Sequence, residues 1–204
     1  LIDTSLVQGQ LQIALGYTLK ETRHLYGTYS SGMNLYNLPS SMMTALTISV
    51  IPTVSASLAR NDRVHTSRVI NSSLRVTGLM AFPMGLGLWA LAEPIMKLCY
   101  PRYDSELGGS LLAVLGIASM FVCLMLISNS ILQSYGRVHV PVFTMLIGGV
   151  VKIIFNYNLT AVPSINIHAA PFGTLVCFVI VSSLNLFFVY RTMEDKPNYF
   201  KVFA

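Results

Sequence analysis

The chain has 204 residues, 53% of them hydrophobic and only 10% charged, with a formal net charge of +5. Soluble domains carry roughly 25% charged residues, and the basic residues here are scattered among connections, not gathered into a patch, so a soluble enzyme and a nucleic-acid partner are both set aside. A mean hydropathy of +0.62 with continuous, non-alternating apolar runs also sets aside a β-barrel and leaves an all-α polytopic membrane protein.

Residues 1–8 read as the end of an earlier span. Residues 9–25 read as a polar connection carrying Lys20, Glu21, Arg23 and His24. The first complete span is expected over about 26–58. That is too long for one straight crossing of the hydrocarbon, and Pro39 and Pro52 are expected to kink it. Asn34, Asn37, Ser41 and Thr44 give it a polar side, which either lines a cavity or hydrogen-bonds to neighbouring helices. A basic loop follows over 59–75, with Arg60, Arg63, Arg68 and Arg75. These arginines read as topology determinants, or as a grip on a phosphate or anionic head group. Arg75 enters the next span.

The second span, about 74–98, contains Pro83, Gly78, Gly85 and Gly87. Pro39, Pro52, Pro83 and Gly85 are the candidate hinges, with static kinks as the alternative. Glu93, beside Pro94, is the candidate coupling carboxylate. Pairing with Lys97, four residues on, is the plainer explanation. The third span, about 107–133, carries no charge at all. The turn Ser134-Tyr135-Gly136-Arg137 leads to a fourth span over about 138–160. Lys152 lies near its middle, where an ammonium costs roughly 2.5–3.5 kcal/mol on insertion scales. Such a group either lines a cavity or snorkels and pairs with a neighbouring helix. Asn156, one turn on, shares its face. A turn at 163–166 precedes the fifth span, about 168–190, and a polar tail covers 193–204.

Alternate connections fall on opposite sides of the bilayer. One side has Arg60, Arg63, Arg68, Arg75, Arg137, Arg191, Lys196 and Lys201; the other has Lys20, Arg23, Lys97 and Arg102. The richer side is cytoplasmic by the positive-inside rule. Loop 59–75, turn 134–138 and the tail are therefore expected in the cytoplasm. Cys99, Cys123 and Cys177 show no CxxC or Cys/His spacing, so neither a disulfide framework nor a metal site is expected. No P-loop, HExxH or GxSxG occurs. The reading is of a non-enzyme without cofactors.

The motifs also have a familiar order. Asn37-Leu38-Pro39, Thr44-Ala45-Leu46 and Val50-Ile51-Pro52 come first, then the turn Ala59-Arg60-Asn61-Asp62. Phe82-Pro83-Met84-Gly85 and Leu91-Ala92-Glu93-Pro94-Ile95 follow. Ile131-Leu132-Gln133-Ser134-Tyr135-Gly136-Arg137 and Val151-Lys152-Ile153-Ile154-Phe155-Asn156-Tyr157 complete the set. Together they resemble the polysaccharide-exporting branch of the MOP superfamily, which includes the MATE transporters and the lipid II flippases. The opening Leu1-Ile2-Asp3-Thr4 resembles the stage V sporulation protein B group.

The resemblance implies a C-terminal helical lobe of a MATE-like transporter over 1–192, with five complete spans and the end of a sixth, and a cytoplasmic tail from 193 leading to missing residues. It implies translocation of an undecaprenyl-linked oligosaccharide or polysaccharide precursor across the bacterial plasma membrane by alternating access. The partners would be the lipid-linked glycan, membrane lipid and the missing N-terminal lobe. Lys152, Asn156, Asn34, Asn37, Ser41 and Arg75 are the expected cavity residues. Where the lipid II branch is expected to carry an Asp-Arg pair, Met33 and Asn34 stand here, so the cation that would meet a pyrophosphate is absent. A MATE-like drug/cation antiporter is an alternative that wants a buried carboxylate. A truncated, non-transporting membrane fragment is another.

Overall fold

The structure, a computed structural model, describes residues 19–101, 103–160 and 168–193. The expected remnant at 1–8, Arg102, the turn at 163–166 and the tail from 194 lie outside the described residues. Among the described residues six helices follow one another: α1 Leu19–Ala59, α2 Arg63–Ala90, α3 Ala92–Cys99, α4 Ser105–Ser134, α5 His139–Thr160 and α6 Ala169–Thr192. Among the described residues there is no strand. Four helices are long and apolar enough to cross a membrane, and α2 with α3 makes a fifth span if the bent pair is taken as one.

α1 runs unbroken for 41 residues, a length of about 60 Å, roughly twice the hydrocarbon thickness. It begins earlier than expected, so residues 19–25 are helix and not connection. Their polarity belongs to a helix end beyond the hydrocarbon. Pro39 and Pro52 sit inside α1 without ending it. Several of its hydroxyls are satisfied locally. Ser41 Oγ donates to the Asn37 carbonyl at 2.8 Å and Thr53 Oγ1 to the Ser49 carbonyl at 2.7 Å, as a hydroxyl in an apolar solvent requires.

The loop expected over 59–75 is in fact a turn of three residues, 60–62. Asn61 takes a left-handed conformation (φ 54°), and the Asn61 and Asp62 amides donate to the Leu58 and Ser57 carbonyls at 3.0 and 3.2 Å. Asp62 then caps α2, its Oδ1 accepting from the His65 amide at 2.9 Å. Hydropathy identifies a solvent, not a helix boundary, and the first turns of α2 are helical but polar. Its outward face carries the exposed Arg68, Ser72 and Arg75, then turns apolar at Leu79, Phe82 and Leu86.

The span expected over 74–98 is two helices, bent by 74° at Leu91. Pro94 explains the place. Proline has no amide to give the Ala90 carbonyl, and its ring clashes with that carbonyl. The Leu91 amide still bonds Gly87, at 2.9 Å, and Ile95 bonds Leu91 at 3.0 Å. The path therefore turns within one residue. Pro94 falls in the first turn of α3, where a missing amide is tolerated.

α4 is the hub. It packs against α1, α2, α3 and α6. Its most apolar stretch is 61% buried, against 28% for α1 and α5 and 39% for α6. A helix surrounded on all sides needs apolar residues all round, which is why α4 carries no charge beyond Glu106 in its first turn. Tyr29, Leu115, Ala118 and Val181 join α1, α4 and α6 near one end; Val54, Ile70, Leu74, Ile131 and Val189 join them with α2 near the other. α5 rests chiefly on α6.

Close approach is set by glycine. A Cβ on Gly116 would lie 2.8 Å from the Trp89 amide nitrogen and 3.0 Å from the Gly85 carbonyl oxygen. Those are backbone atoms of α2, which cannot swing aside as a flexible side chain can. Gly116→Val is therefore expected to lower stability by about 1–3 kcal/mol, the usual cost of overpacking. Gly87→Ala, where nothing lies within 4 Å, should leave the thermal midpoint in detergent nearly unchanged. Equal midpoints for both variants would refute the glycine contact.

Candidate functional site

Four residues of α5 recur at four-residue spacing: Thr144, Gly148, Lys152 and Asn156. That spacing places them on one row of the helix, and the row faces α6. Thr144 Oγ1 donates to Asn185 Oδ1 at 2.7 Å. A Cβ on Gly148 would run into Val181 and the Cys177 sulfur. Asn156 lies over Gly173, where an added Cβ would collide with its amide and come 3.8 Å from the Lys152 carbonyl oxygen. Asn156 is 2% exposed, and its Oδ1 has no hydrogen-bond partner among the described residues. Lys152 is half-buried on the same seam. Lys152 and Asn156 thus share the α5 row that faces α6.

The second polar group lies on α1. Asn34, Asn37, Ser41 and Thr44 are all exposed and spaced three or four residues apart, so they form one stripe. Asn34 Nδ2 donates to the Tyr100 hydroxyl at 3.5 Å, tying the stripe to the chain after α3. Below Asn34, Ser41 and Thr44 donate to carbonyls of their own helix, those of Asn37 and Ser40. The two sets occupy different helix pairs: α5 packs on α6, whereas α1 packs on α4 and α2.

Arg75 is exposed on α2, one turn before the outward face becomes apolar. Of the hinge candidates, Pro39 is buried and Pro52 and Pro83 are exposed, all within continuous helices. Gly85 is the point where α2 meets α4. Glu93 is exposed in the first turn of α3, and no ion pair within 4.0 Å joins it to Lys97. Among the described residues no three His, Cys, Asp or Glu side chains are grouped to hold a metal ion.

One feature escaped the sequence reading. Asn185 Nδ2 donates to Asn129 Oδ1 at 2.7 Å while Asn185 Oδ1 accepts from Thr144. A single buried amide thereby links α4, α6 and α5. The available signal was an asparagine in each of the two charge-free spans, since an amide in hydrocarbon needs a partner. Which partner each finds depends on packing that periodicity does not encode.

The all-helical architecture and its membrane-length helices define a multi-pass helical membrane protein. The MatE family profile matches residues 26–158, and the chain belongs to the MatE family, in agreement with the resemblance carried by its motifs. An uncharacterized membrane protein, YabM, of Bacillus subtilis (strain 168) is 25% identical over 172 residues, which cover 84% of this chain and 31% of that protein. The lipid II flippase MurJ of the same organism is 24% identical over 127 residues, 61% of this chain and 23% of that one. This chain therefore spans less than a third of the length of these curated relatives. No solved structure matches it.

The Asn129–Asn185–Thr144 link predicts a measurable coupling. A double-mutant cycle of Thr144→Val with Asn185→Leu is expected to show about 0.5–1.5 kcal/mol of non-additivity in thermal stability. Strictly additive losses would mean that the two side chains do not act together.

Proposed function

We propose that this chain forms the C-terminal lobe of a flippase that carries a lipid-linked oligosaccharide or polysaccharide precursor across the bacterial plasma membrane by alternating access. The observation that carries this reading is the exposed stripe Asn34, Asn37, Ser41 and Thr44 on a membrane-length helix. Lipid does not solvate two amides and two hydroxyls in a row without penalty. A water-filled cavity against a second lobe does, and it gives the polar head of an amphiphilic substrate a route. Membership in the MatE family supports the reading, as does the similarity to a protein named as a lipid II flippase.

In this scheme the half-buried Lys152 reaches the polar side of a wall whose other face is lipid, while Asn156, 2% exposed, stays packed against α6. The outward side of α5 is apolar, with Phe143, Leu146, Val150 and Ile154 exposed. The basic end of the bundle, with the 60–62 turn, Arg137 and the end of α6, is cytoplasmic. The substrate's phosphates and sugars would be met by Lys152 and the α1 amides. The drug/cation antiporter finds less support. The described acids Glu21, Asp62, Glu93, Asp104 and Glu106 all lie at helix ends or turns.

Two measurements test the proposal in the intact protein. Single cysteines at Asn37 and Ser41, in a background lacking Cys99, should react with a membrane-impermeant thiol reagent, and a cysteine at Leu79 should not. Protection of positions 37 and 41 would place the stripe against protein or lipid. Lys152→Ala is expected to reduce export of lipid-linked glycan about tenfold, the loss of one charge-assisted contact. Normal export at normal expression would remove Lys152 from the pathway.

A further inference from the structure

At the basic end of the bundle a cavity of about 310 Å³ opens between the α1–α2 turn, the α4–α5 turn and the end of α6. Its size falls at the lower edge of small-ligand sites. Arg63, at the start of α2, and Arg137, in the α4–α5 turn, line it, and Asp62 is the carboxylate among its described lining residues. That carboxylate accepts from the His65 amide. Asn61, Ser67 and Thr192 add polar groups, while Leu58, Tyr135 and Met193 supply apolar lining. Tyr135 and Met193 also belong to the apolar cluster beneath.

Three helix C-termini end here, so the plain explanation of Arg137 is to cap one of them. The turns leave little for that role. At the end of α4 the Arg137 amide donates to the Leu132 carbonyl at 3.0 Å, Tyr135 to Ile131 at 3.2 Å and Gly136 to Gln133 at 2.9 Å. At the end of α1 the Asn61 and Asp62 amides take the Leu58 and Ser57 carbonyls. At the end of α6 Met193 takes Val189 at 3.0 Å and Thr192 Oγ1 takes Phe188 at 2.7 Å. The backbone closes its own ends, and among the described residues the Arg137 guanidinium bonds none of these carbonyls.

We infer that this cavity holds the phosphate of an anionic membrane lipid between Arg63 and Arg137, with the apolar lining taking the glycerol end. The guanidinium fork suits phosphate oxygens. The cavity lies where α1, α2, α4, α5 and α6 all end or begin, the level at which head groups sit. Basic pockets between spanning helices are sites of this kind. The inference needs the bundle to lie in a bilayer but does not depend on what it transports.

The test uses the intact protein in a neutral detergent, with the thermal midpoint followed during addition of phosphatidylglycerol, phosphatidylcholine or inorganic phosphate. A ligand that binds only the folded state raises the midpoint. Phosphatidylglycerol is expected to raise it by about 2–4 °C, with phosphatidylcholine and inorganic phosphate raising it by less than half as much. Arg137→Gln and Arg63→Gln should each remove most of that rise, Arg137→Lys should keep part of it, and Arg68→Gln, outside the cavity, should keep all of it. An equal rise with inorganic phosphate, no rise with phosphatidylglycerol, or a full rise in both glutamine variants would each overturn the assignment. If Arg63→Gln disturbs the start of α2, the Arg137 pair decides alone.

Discussion

Where Gly85 meets Gly116, the backbones of α2 and α4 approach with no side chain between them. A bilayer gives apolar helices little hydrophobic reason to associate, so packing and hydrogen bonds must hold them. The glycine contact supplies the first by letting α4 sink among its neighbours. Once α4 is surrounded, its Ser119 and Ser128 hydroxyls must bond their own carbonyls, and they do, each at 2.7 Å. Asn129 must find another helix, and it finds Asn185. The outer helices then need only one apolar face inward, which leaves α1 free to present polar groups outward.

The sequence made the solvent legible and left the geometry open. α4 and α6 were readable within two or three residues at each end because their only charges, Glu106 and Arg191, stand at helix ends. α2 was not, because Arg63, His65 and Arg68 are polar residues in a good helix, and polarity alone resembles a loop. The prolines show the same limit. Pro39, Pro52 and Pro83 lie inside helices that continue, whereas Pro94 ends one. What separates them is whether the surrounding bundle holds both flanks on one axis. That is decided by packing, and four prolines look alike in a one-dimensional pattern.

Of the candidate site, the helix row shared by Lys152 and Asn156 was legible from spacing alone, and so was the stripe on α1. That these belong to separate helix pairs was not, because adjacency of α5 to α6 and of α1 to α4 is a tertiary fact. The α5 row has α6 opposite it, whereas the α1 stripe stands exposed.

α5 has another consequence, in the order of synthesis. The helix that covers its polar row is α6, which follows it in the chain. Translation proceeds at roughly 5–20 residues per second, so α5 reaches the membrane a second or more before α6 exists. During that interval Asn156 has no Gly173 to lie against and Thr144 has no Asn185. α5 is thus a helix that must first tolerate lipid, or a chaperone, with its buried seam uncovered, and is completed only by its successor.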